Sequence, residues 1–176
     1  MKLTLENGRF VDTNKFYDIS IPLKDADNGV KAWYCESPKI TPVMTEHFIG
    51  DINKGGNVNF RDIFFNPHGN GTHTECVGHI SSEFYSINQT LKEFFMLGTL
   101  ITVEPEVIFN EEHNCNDFII TKESLTKVLP KTLTNCIIIR TLPNPESKKH
   151  LDYSNTNPPY IDVAALDLFE AIEVSH

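Results

Sequence analysis

Residues 66–80 read Asn-Pro-His-Gly-Asn-Gly-Thr-His-Thr-Glu-Cys-Val-Gly-His-Ile and hold three of the seven histidines of the chain. The glycines in this segment allow close approaches and backbone angles that a Cβ would forbid, so the chain can turn tightly around a small ligand. In an extended register, His73, Glu75 and His79 fall at even spacing and can point to one face. Imidazole nitrogen and carboxylate oxygen are ligands of zinc and, with more oxygens, of manganese. The segment therefore predicts a metal site.

A solvated loop is the simpler interpretation of the same residues. Asn70-Gly71 is by itself a common turn signal, and surface loops tolerate His and Glu at little cost. An isolated His-x-Glu would favour that interpretation. Here three histidines and one acid lie between positions 68 and 79, framed by glycines. This density favours a metal or catalytic role over a plain turn.

The same segment resembles the hallmark of the metal-dependent cyclase family, which includes the bacterial kynurenine formamidases. The hallmark runs His-x-Gly-Thr-His-x-Asp-x-Pro-x-His, and residues 71–79 read Gly-Thr-His-x-Glu-x-Val-x-His. Three positions depart from the family pattern. Gly69 stands where the first histidine would fall, Glu75 replaces the aspartate, and Val77 replaces the proline. The nearest imidazole to the first position is His68, one residue early.

The resemblance implies a role for each of the polar residues of the motif. His73 and Glu75 would be metal ligands, and His79 would be the general acid/base. His68 would be a third ligand if the loop absorbs the offset of one residue. Family members also tend to carry a tryptophan near the ligand pocket in the loop that corresponds to residues 24–46. Trp33 is therefore a candidate substrate contact, although a lone aromatic residue in a loop is more often a packing anchor.

The resemblance further implies a fold, an activity and an assembly. The fold would be α/β, with a mixed β-sheet or partial barrel and flanking helices of the swivelling β/β/α type. The activity would be metal-dependent hydrolysis of an amide, formamide or cyclic amide in a small-molecule substrate. Zinc is the first expectation for the divalent cofactor and manganese the second. A homodimer or larger oligomer is expected, and a chain that has lost one ligand could instead be a non-catalytic metal-binding or small-molecule-binding domain.

Composition is typical of one soluble domain. The chain has 176 residues, of which 40% are hydrophobic and 22% charged. Its net charge of -9 argues against a nucleic-acid partner, which would require a basic face. No run approaches the ~18 apolar residues of a membrane span, and the N-terminus lacks the apolar core of a signal peptide. We expect a protein of the cytoplasm without a membrane partner.

The four cysteines lie far apart and in no zinc-ribbon or Cys-x-x-Cys spacing. Reduced thiols are the expectation for such a pattern, and they agree with a cytoplasmic location. Cys76 lies inside the motif and has two interpretations. It could flank the site, or it could be a small buried residue.

The chain before the motif is predicted to be mainly extended. Residues 2–12 are typical of a β-hairpin, because apolar residues alternate about Asn7-Gly8. The other predicted elements are a loop at 24–46 and strands at 17–23, 47–50 and 58–65. The last strand leads into the motif, which places the motif at a strand end, where α/β proteins usually assemble ligand sites. The segment Asp18-Ile19-Ser20 is similar to the opening of cyclase-family domains.

The chain after the motif alternates helices and strands. The predicted helices are 86–95, 122–129 with Thr121 as its cap, and 162–172 with Asp162 as its cap. Strands are predicted at 99–105 and 135–141, and polar loops at 110–117 and 143–160. The continuous apolar run of 135–141 is typical of a strand buried on both faces of a parallel sheet.

The end of the sequence carries a further expectation. A crossover helix at 162–172 should be followed by a parallel strand that buries its apolar face. Family members continue with such a strand and with a further His and Glu near the metal. We therefore expect residues 1–176 to be a single cyclase-like domain that lacks its C-terminal portion.

Overall fold

The computed structural model describes residues 1–5, 7–25, 27–172 and 174, and it confirms the α/β prediction. The helices are α1 (Pro67–Asn70), α2 (Ile87–Thr90), α3 (Lys122–Val128) and α4 (Val163–Ala171). The strands are β1 (Lys2–Thr4), β2 (Phe10–Asp12), β3 (Lys39–Pro42), β4 (Arg61–Phe64), β5 (Gly98–Val103), β6 (Glu106–Asn110), β7 (Cys115–Ile120), β8 (Cys136–Thr141) and β9 (Tyr160–Ile161). Within the described ranges, these strands form four small sheets and close no barrel. Among the same residues no helix has the length and apolar character needed to cross a bilayer.

The predicted N-terminal hairpin is confirmed. β1 and β2 pair antiparallel, with Leu3 opposite Val11. Gly8 has a φ of 78°, which a glycine adopts without the steric cost of a Cβ. Residues 17–23, predicted as a strand, are not in any strand, so that prediction is wrong. Their chain runs along the motif instead of joining a sheet.

The second sheet differs from the prediction in its pairing. β3 lies within the predicted loop 24–46, and it pairs antiparallel with β4, so that Ile40 faces Ile63. Residues 47–50 make only a single bridge, between Met44 and Ile49. The backbone of Gly50 hydrogen-bonds two other segments instead. Its N–H donates to the Val43 carbonyl, and its carbonyl accepts from the Phe60 N–H. The alternation of apolar and polar residues along β4 does not indicate which segment pairs with it.

The third sheet, strand β7 and two helices form the core. β5 and β8 pair parallel, with Ile101 opposite Ile139. The buried apolar side chains come from β5, β7, α3 and α4, and they are Ile101, Val103, Ile120, Leu125 and Ala165. β8 is confirmed as a strand, but the expectation that it is buried on both faces is wrong. Ile138 is 42% exposed, because the core packs against only one face of this two-stranded sheet.

Both predicted C-terminal helices are confirmed, although each is slightly shorter than predicted. The Thr121 hydroxyl accepts a hydrogen bond from the backbone N–H of Ser124 at 3.0 Å, which satisfies a free donor at the start of α3. Asp162 occupies the cap position of α4, but its side chain makes no capping hydrogen bond. α3 buries Leu125 completely and α4 buries Ala165 completely, so these two helices contribute the centre of the core.

Two other predictions are corrected. The helix predicted over 86–95 is limited to the single turn α2, and Phe95 beyond it is 89% exposed. A short helix is stable in water only when its apolar face packs against other residues. Here the apolar side chains Phe94 and Phe95 are exposed and do not pack on the core. The polar loop predicted over 110–117 is shorter, because β7 begins at Cys115. Asp117 within β7 is buried and accepts hydrogen bonds from Asn110 and Asn157, which compensates its burial.

Candidate metal centre

The motif begins at the end of a strand, as predicted. β4 ends at Phe64 and the chain enters α1, in which Pro67 occupies the first turn. Asn66 caps this turn, and its Oδ1 accepts from the backbone N–H groups of His68 at 2.9 Å and Gly69 at 3.2 Å. His68 therefore projects from a capped turn of helix and not from a free loop.

The second half of the motif differs from the predicted extended register. Residues Val77–His79 form a turn of 3-10 helix. His79 reaches the other polar residues through this turn, and its Nδ1 lies 3.8 Å from Glu75 Oε1. The convergence of these side chains is therefore real, but strand alternation is not its cause.

One carboxylate oxygen is the centre of the cluster. Glu75 Oε1 lies 2.5 Å from His68 Nδ1 and 3.0 Å from His73 Nε2. The rings of His68 and His79 stack with their centroids 4.5 Å apart, and the ring of His73 meets His68 edge-on at 5.1 Å. The four predicted polar residues of the motif thus come together around a single point.

The histidines hold Glu75 in its charged form. The hydrogen bond from His68 lowers the pKa of the Glu75 carboxyl below its ordinary value, and desolvation by partial burial opposes this effect. The hydrogen bond from His73 and the nearby charges of His79 and His73 lower the pKa further. Glu75 is therefore an anionic oxygen donor at neutral pH.

The backbone orients His73. Its Nδ1 lies 2.9 Å from the carbonyl oxygen of Gly71. A bond of this kind fixes the imidazole so that the other nitrogen is available, and metal-binding histidines usually carry one. In His73 the available nitrogen is Nε2, which faces Glu75.

The ligand set fits a divalent metal. One potential ligand atom from each of His68, His73 and Glu75 lies within 4.8 Å of the other two, and no other such group occurs in the described part of the chain. Two imidazoles and one carboxylate are a known set for catalytic zinc, in which further positions stay open for water and substrate. The residues present are thus suited to a cation.

A cavity of about 470 Å³ adjoins the cluster. Its lining includes the four predicted residues and six others, which are Pro67, Thr74, Cys76, Gly78, Tyr85 and Ile87. Cys76 therefore flanks the site, the first of its two interpretations, and its Sγ lies 3.7 Å from the carbonyl oxygen of Tyr85. Larger depressions lie beside Glu36 and Lys39, but they lack a histidine and a convergent ligand group among the described residues.

Sequence reasoning missed part of this site. Tyr85 and Ile87 line the cavity, and their position shortly after the motif is the signal that could identify them as an apolar wall. Asn66 was also missed. The pair Asn66-Pro67 is a recognised start signal for a helix, with an Asn cap before a Pro in the first turn.

Trp33 does not line this cavity. Its side chain is 76% exposed, and its φ is 54°, a left-handed value that is unusual for a residue with a large side chain. Its loop nevertheless reaches the motif, because Cys35 packs against Gly69. A contact between Trp33 and a substrate stays a prediction.

The segment Asp18-Ile19-Ser20 lies against the motif. Asp18 Oδ1 accepts from the backbone N–H of Ser20 at 2.9 Å and from its hydroxyl at 2.6 Å, which forms a local turn. The next residue, Ile21, donates its N–H to Thr72 Oγ1 at 2.8 Å. Two segments that are far apart in sequence are thereby joined beside His73.

The family model described as "Putative cyclase" matches residues 17–176. The chain belongs to this family. The matched range starts just before Asp18 and spans residues 66–80, and the resemblance of the chain to the cyclase family is confirmed. Neither the comparison with curated proteins nor the comparison with solved structures gave a significant match. Membership of the cyclase family favours an enzyme, and the histidine cluster is its candidate metal centre.

Proposed function

We propose that this cyclase-family protein is a metal-dependent hydrolase that cleaves an amide, formamide or cyclic amide in a small molecule. The observation that carries the proposal is the convergence of His68, His73, Glu75 and His79 beside one cavity. Three of these residues form a ligand set, and the fourth is a titratable group in contact with that set. Such a combination is what metal-assisted hydrolysis requires.

His68, His73 and Glu75 would hold the cation, which we propose to be zinc, with manganese as the second choice. When bound, the cation supplies Lewis-acid chemistry, which polarises a carbonyl group and makes water more acidic. The charged carboxylate of Glu75 would offset part of the cation's charge. The contact between His73 Nδ1 and the Gly71 carbonyl would keep the ring orientation unchanged when the cation binds.

His79 is the proposed general acid/base. Its ring stacks on His68 and its side chain is 49% exposed, so a substrate in the cavity can reach it. A histidine exchanges protons near neutral pH more readily than other side chains. His79 would take one proton from the attacking water and return it to the leaving nitrogen. The C–N bond breaks as the C–O bond forms, and the products are a carboxylic acid and an amine.

The apolar part of the cavity is the proposed substrate wall. Pro67, Tyr85 and Ile87 line the cavity together with the histidines. Tyr85 is held in place by its hydroxyl, which donates to Glu83 Oε2 at 2.9 Å. The substrate would place its apolar body against these side chains and its amide near His79. Trp33 would contribute a further contact from the loop that packs on Gly69.

We also propose that the protein acts as a homodimer or a larger oligomer. The described part of the chain exposes a large apolar area. Large apolar side chains contribute to this area, among them Phe84 at 89%, Phe95 at 89% and Ile80 at 85% exposure. Obligate interfaces cover surfaces of this kind.

The four free cysteines support our proposal of a cytoplasmic location.

A second candidate function is a metal-binding or small-molecule-binding domain without catalysis. Gly69 at the position of the first motif histidine favours it, since the ligand set then depends on His68. In this alternative the cluster binds a cation or the cavity binds a small molecule, but no substrate is turned over.

Metal content is the first measurement. We expect about one zinc or manganese per chain in the purified protein by elemental analysis, and loss of that metal in His73→Ala. A screen of formamides and cyclic amides then follows, with His79→Ala as the variant that keeps the metal and loses hydrolysis.

The outcomes separate the candidates. Metal with hydrolysis supports the enzyme, and metal without hydrolysis of any amide class supports the binding domain. If the protein neither retains nor takes up metal, the hydrolase and the metal-binding domain are both rejected, and a small-molecule-binding domain or a structural turn is left. A rise in melting temperature on adding zinc or manganese would reject that last outcome.

A further inference from the structure

We propose that the Asn66–Asn70 pair positions His68 as the first metal ligand, one residue ahead of the family position. The inference rests on the proposed metal site and adds to it the residues that create the site. Neither asparagine hydrogen-bonds Glu75, and neither lines the cavity beside the cluster. Both would therefore act through His68. They are positioning residues and not catalytic ones.

Position 69 has no room for a side chain. A Cβ added to Gly69 would lie 2.6 Å from Cys35 Sγ and 3.0 Å from the Ala32 carbonyl oxygen. A histidine at the family position would therefore require the loop 32–35 to move. Because that loop fills the space, the first imidazole has to come from a neighbouring residue, and His68 is the neighbour that points to Glu75.

The turn that carries His68 cannot support itself. α1 has only 4 residues, and a helix of that length is unfavourable without outside contacts, because nucleation costs more than one turn returns. Asn66 supplies part of the missing stabilisation by accepting from the N–H groups of His68 and Gly69. The position of His68 therefore depends on where Asn66 is held.

Asn70 holds Asn66 from the other end of the turn. Its Oδ1 accepts from the Asn66 N–H at 2.8 Å, and its own N–H donates to the Asn66 carbonyl at 3.0 Å. The two asparagines thus bond reciprocally around His68, in the manner of a capping box. This closed arrangement fixes both ends of the turn.

Asn70 also anchors the turn to the loop that excludes a side chain at position 69. Its Nδ2 donates to the Glu36 carbonyl at 3.0 Å, next in sequence to Cys35. Asn70 is 2% exposed, and replacement by alanine would remove its hydrogen bonds to the Asn66 N–H and the Glu36 carbonyl. Asn70 thereby sets the distance between the loop and the turn. Through the turn, it also sets the distance between the His68 ring and the Glu75 carboxylate.

The test is the Co²⁺ affinity of the full chain, measured by titration and visible absorption. Loss of residues that orient metal ligands typically weakens binding about 10-fold to 100-fold, and we expect this for Asn70→Ala and Asn66→Ala. Asn66→Ser should retain affinity close to wild type, since serine caps a helix about as well as asparagine. If Asn70→Ala fails to fold, the two Asn66 variants decide the question.

Asn110→Ala is the matched control. Asn110 Oδ1 likewise accepts from two backbone N–H groups, and its Nδ2 bonds Asp117, in a sheet that contains no proposed ligand. It should lower the melting temperature without changing Co²⁺ affinity. Equal weakening of Co²⁺ binding in Asn110→Ala, or no rescue by serine, would mean a general stability effect and would overturn the inference.

The remaining outcomes are also decisive. Unchanged affinity in Asn70→Ala and Asn66→Ala, with normal binding by wild type, would refute the positioning role alone. Absence of Co²⁺ binding by wild type would refute the proposed metal site, and the positioning role with it.

Discussion

His68 Nδ1 lies 2.5 Å from Glu75 Oε1, although His68 is one residue away from the position that the family motif assigns to its first histidine. The contact joins a capped turn of helix to the extended segment that follows it. It lowers the pKa of Glu75 and keeps the carboxylate charged beside two imidazoles. The displaced histidine is thus returned to the cluster by the local fold.

Glu75→Gln should remove the anionic ligand without changing the size of the side chain. We expect bound zinc to fall by about 10-fold or more, because an amide oxygen is a weak ligand for zinc beside histidines. Elemental analysis of the purified variant measures this. Glu83→Gln is the control, since Glu83 bonds the Tyr85 hydroxyl near the same cavity and is not in the ligand set. Retention of metal by Glu75→Gln would contradict the assignment.

Leu125→Ala should destabilise the protein by about 2–5 kcal/mol, the range for emptying a buried leucine position. Leu125 is fully buried at the centre of the core, between the β5–β8 sheet and α4. Chemical unfolding measures the change. Leu166→Ala, at a site that is 53% exposed, should cost about 0.5 kcal/mol or less. Similar losses at both sites would mean that the core lies elsewhere.

Gly69→Ala should cost about 1–3 kcal/mol, because the added Cβ meets Cys35 and the Ala32 carbonyl. Adding Cys35→Ala to it should recover part of the loss, since that change removes the nearest atom, Sγ. Thermal unfolding of the single and double variants gives the coupling between the two positions. Additive effects would show that Gly69 and Cys35 are not in contact.

Asp117 should make the free energy of unfolding depend on pH in the acidic range. Hydrogen bonds from Asn157 and Asn110 lower its pKa below the ordinary value, against an opposing effect of desolvation. Its contribution is therefore complete above the unfolded-state pKa of about 3.9 and is lost as pH falls through the lower folded-state pKa. The difference in unfolding free energy between wild type and Asp117→Asn should shrink as the pH drops below about 4. A difference that stays constant to lower pH would rule out this linkage.

Trp33, the single tryptophan, should report on substrate binding through its own fluorescence. If it contacts the substrate, a bound amide will shift or quench its emission, because the indole is now 76% exposed to water. Trp33→Phe should raise KM more than it lowers kcat, since the contact would serve binding and not proton transfer. Tyr34→Phe is the control from the same loop. No change in emission at saturating substrate would remove Trp33 from the site.

Part of the fold could be predicted from local sequence. The hairpin about Asn7-Gly8, the capped helix α3 and the strand β8 are each specified by signals within a few residues. The partner of β4 could not be predicted, because residues 43–60 separate β3 from it and the residues of β3 lack a strong alternating pattern. The helix predicted over 86–95 failed because its apolar residues need a surface to pack against, which local periodicity does not report.

The candidate site divides in the same way. His73, Glu75 and His79 could be identified from residue type and spacing, and so could the family to which the motif belongs. Whether His68 joins them was decided by packing, because the loop 32–35 excludes a side chain at Gly69 and the Asn66–Asn70 bonds direct the turn. Sequence specifies which donors are available, whereas their distances depend on contacts between segments far apart in the chain. Those contacts form only when the chain is folded.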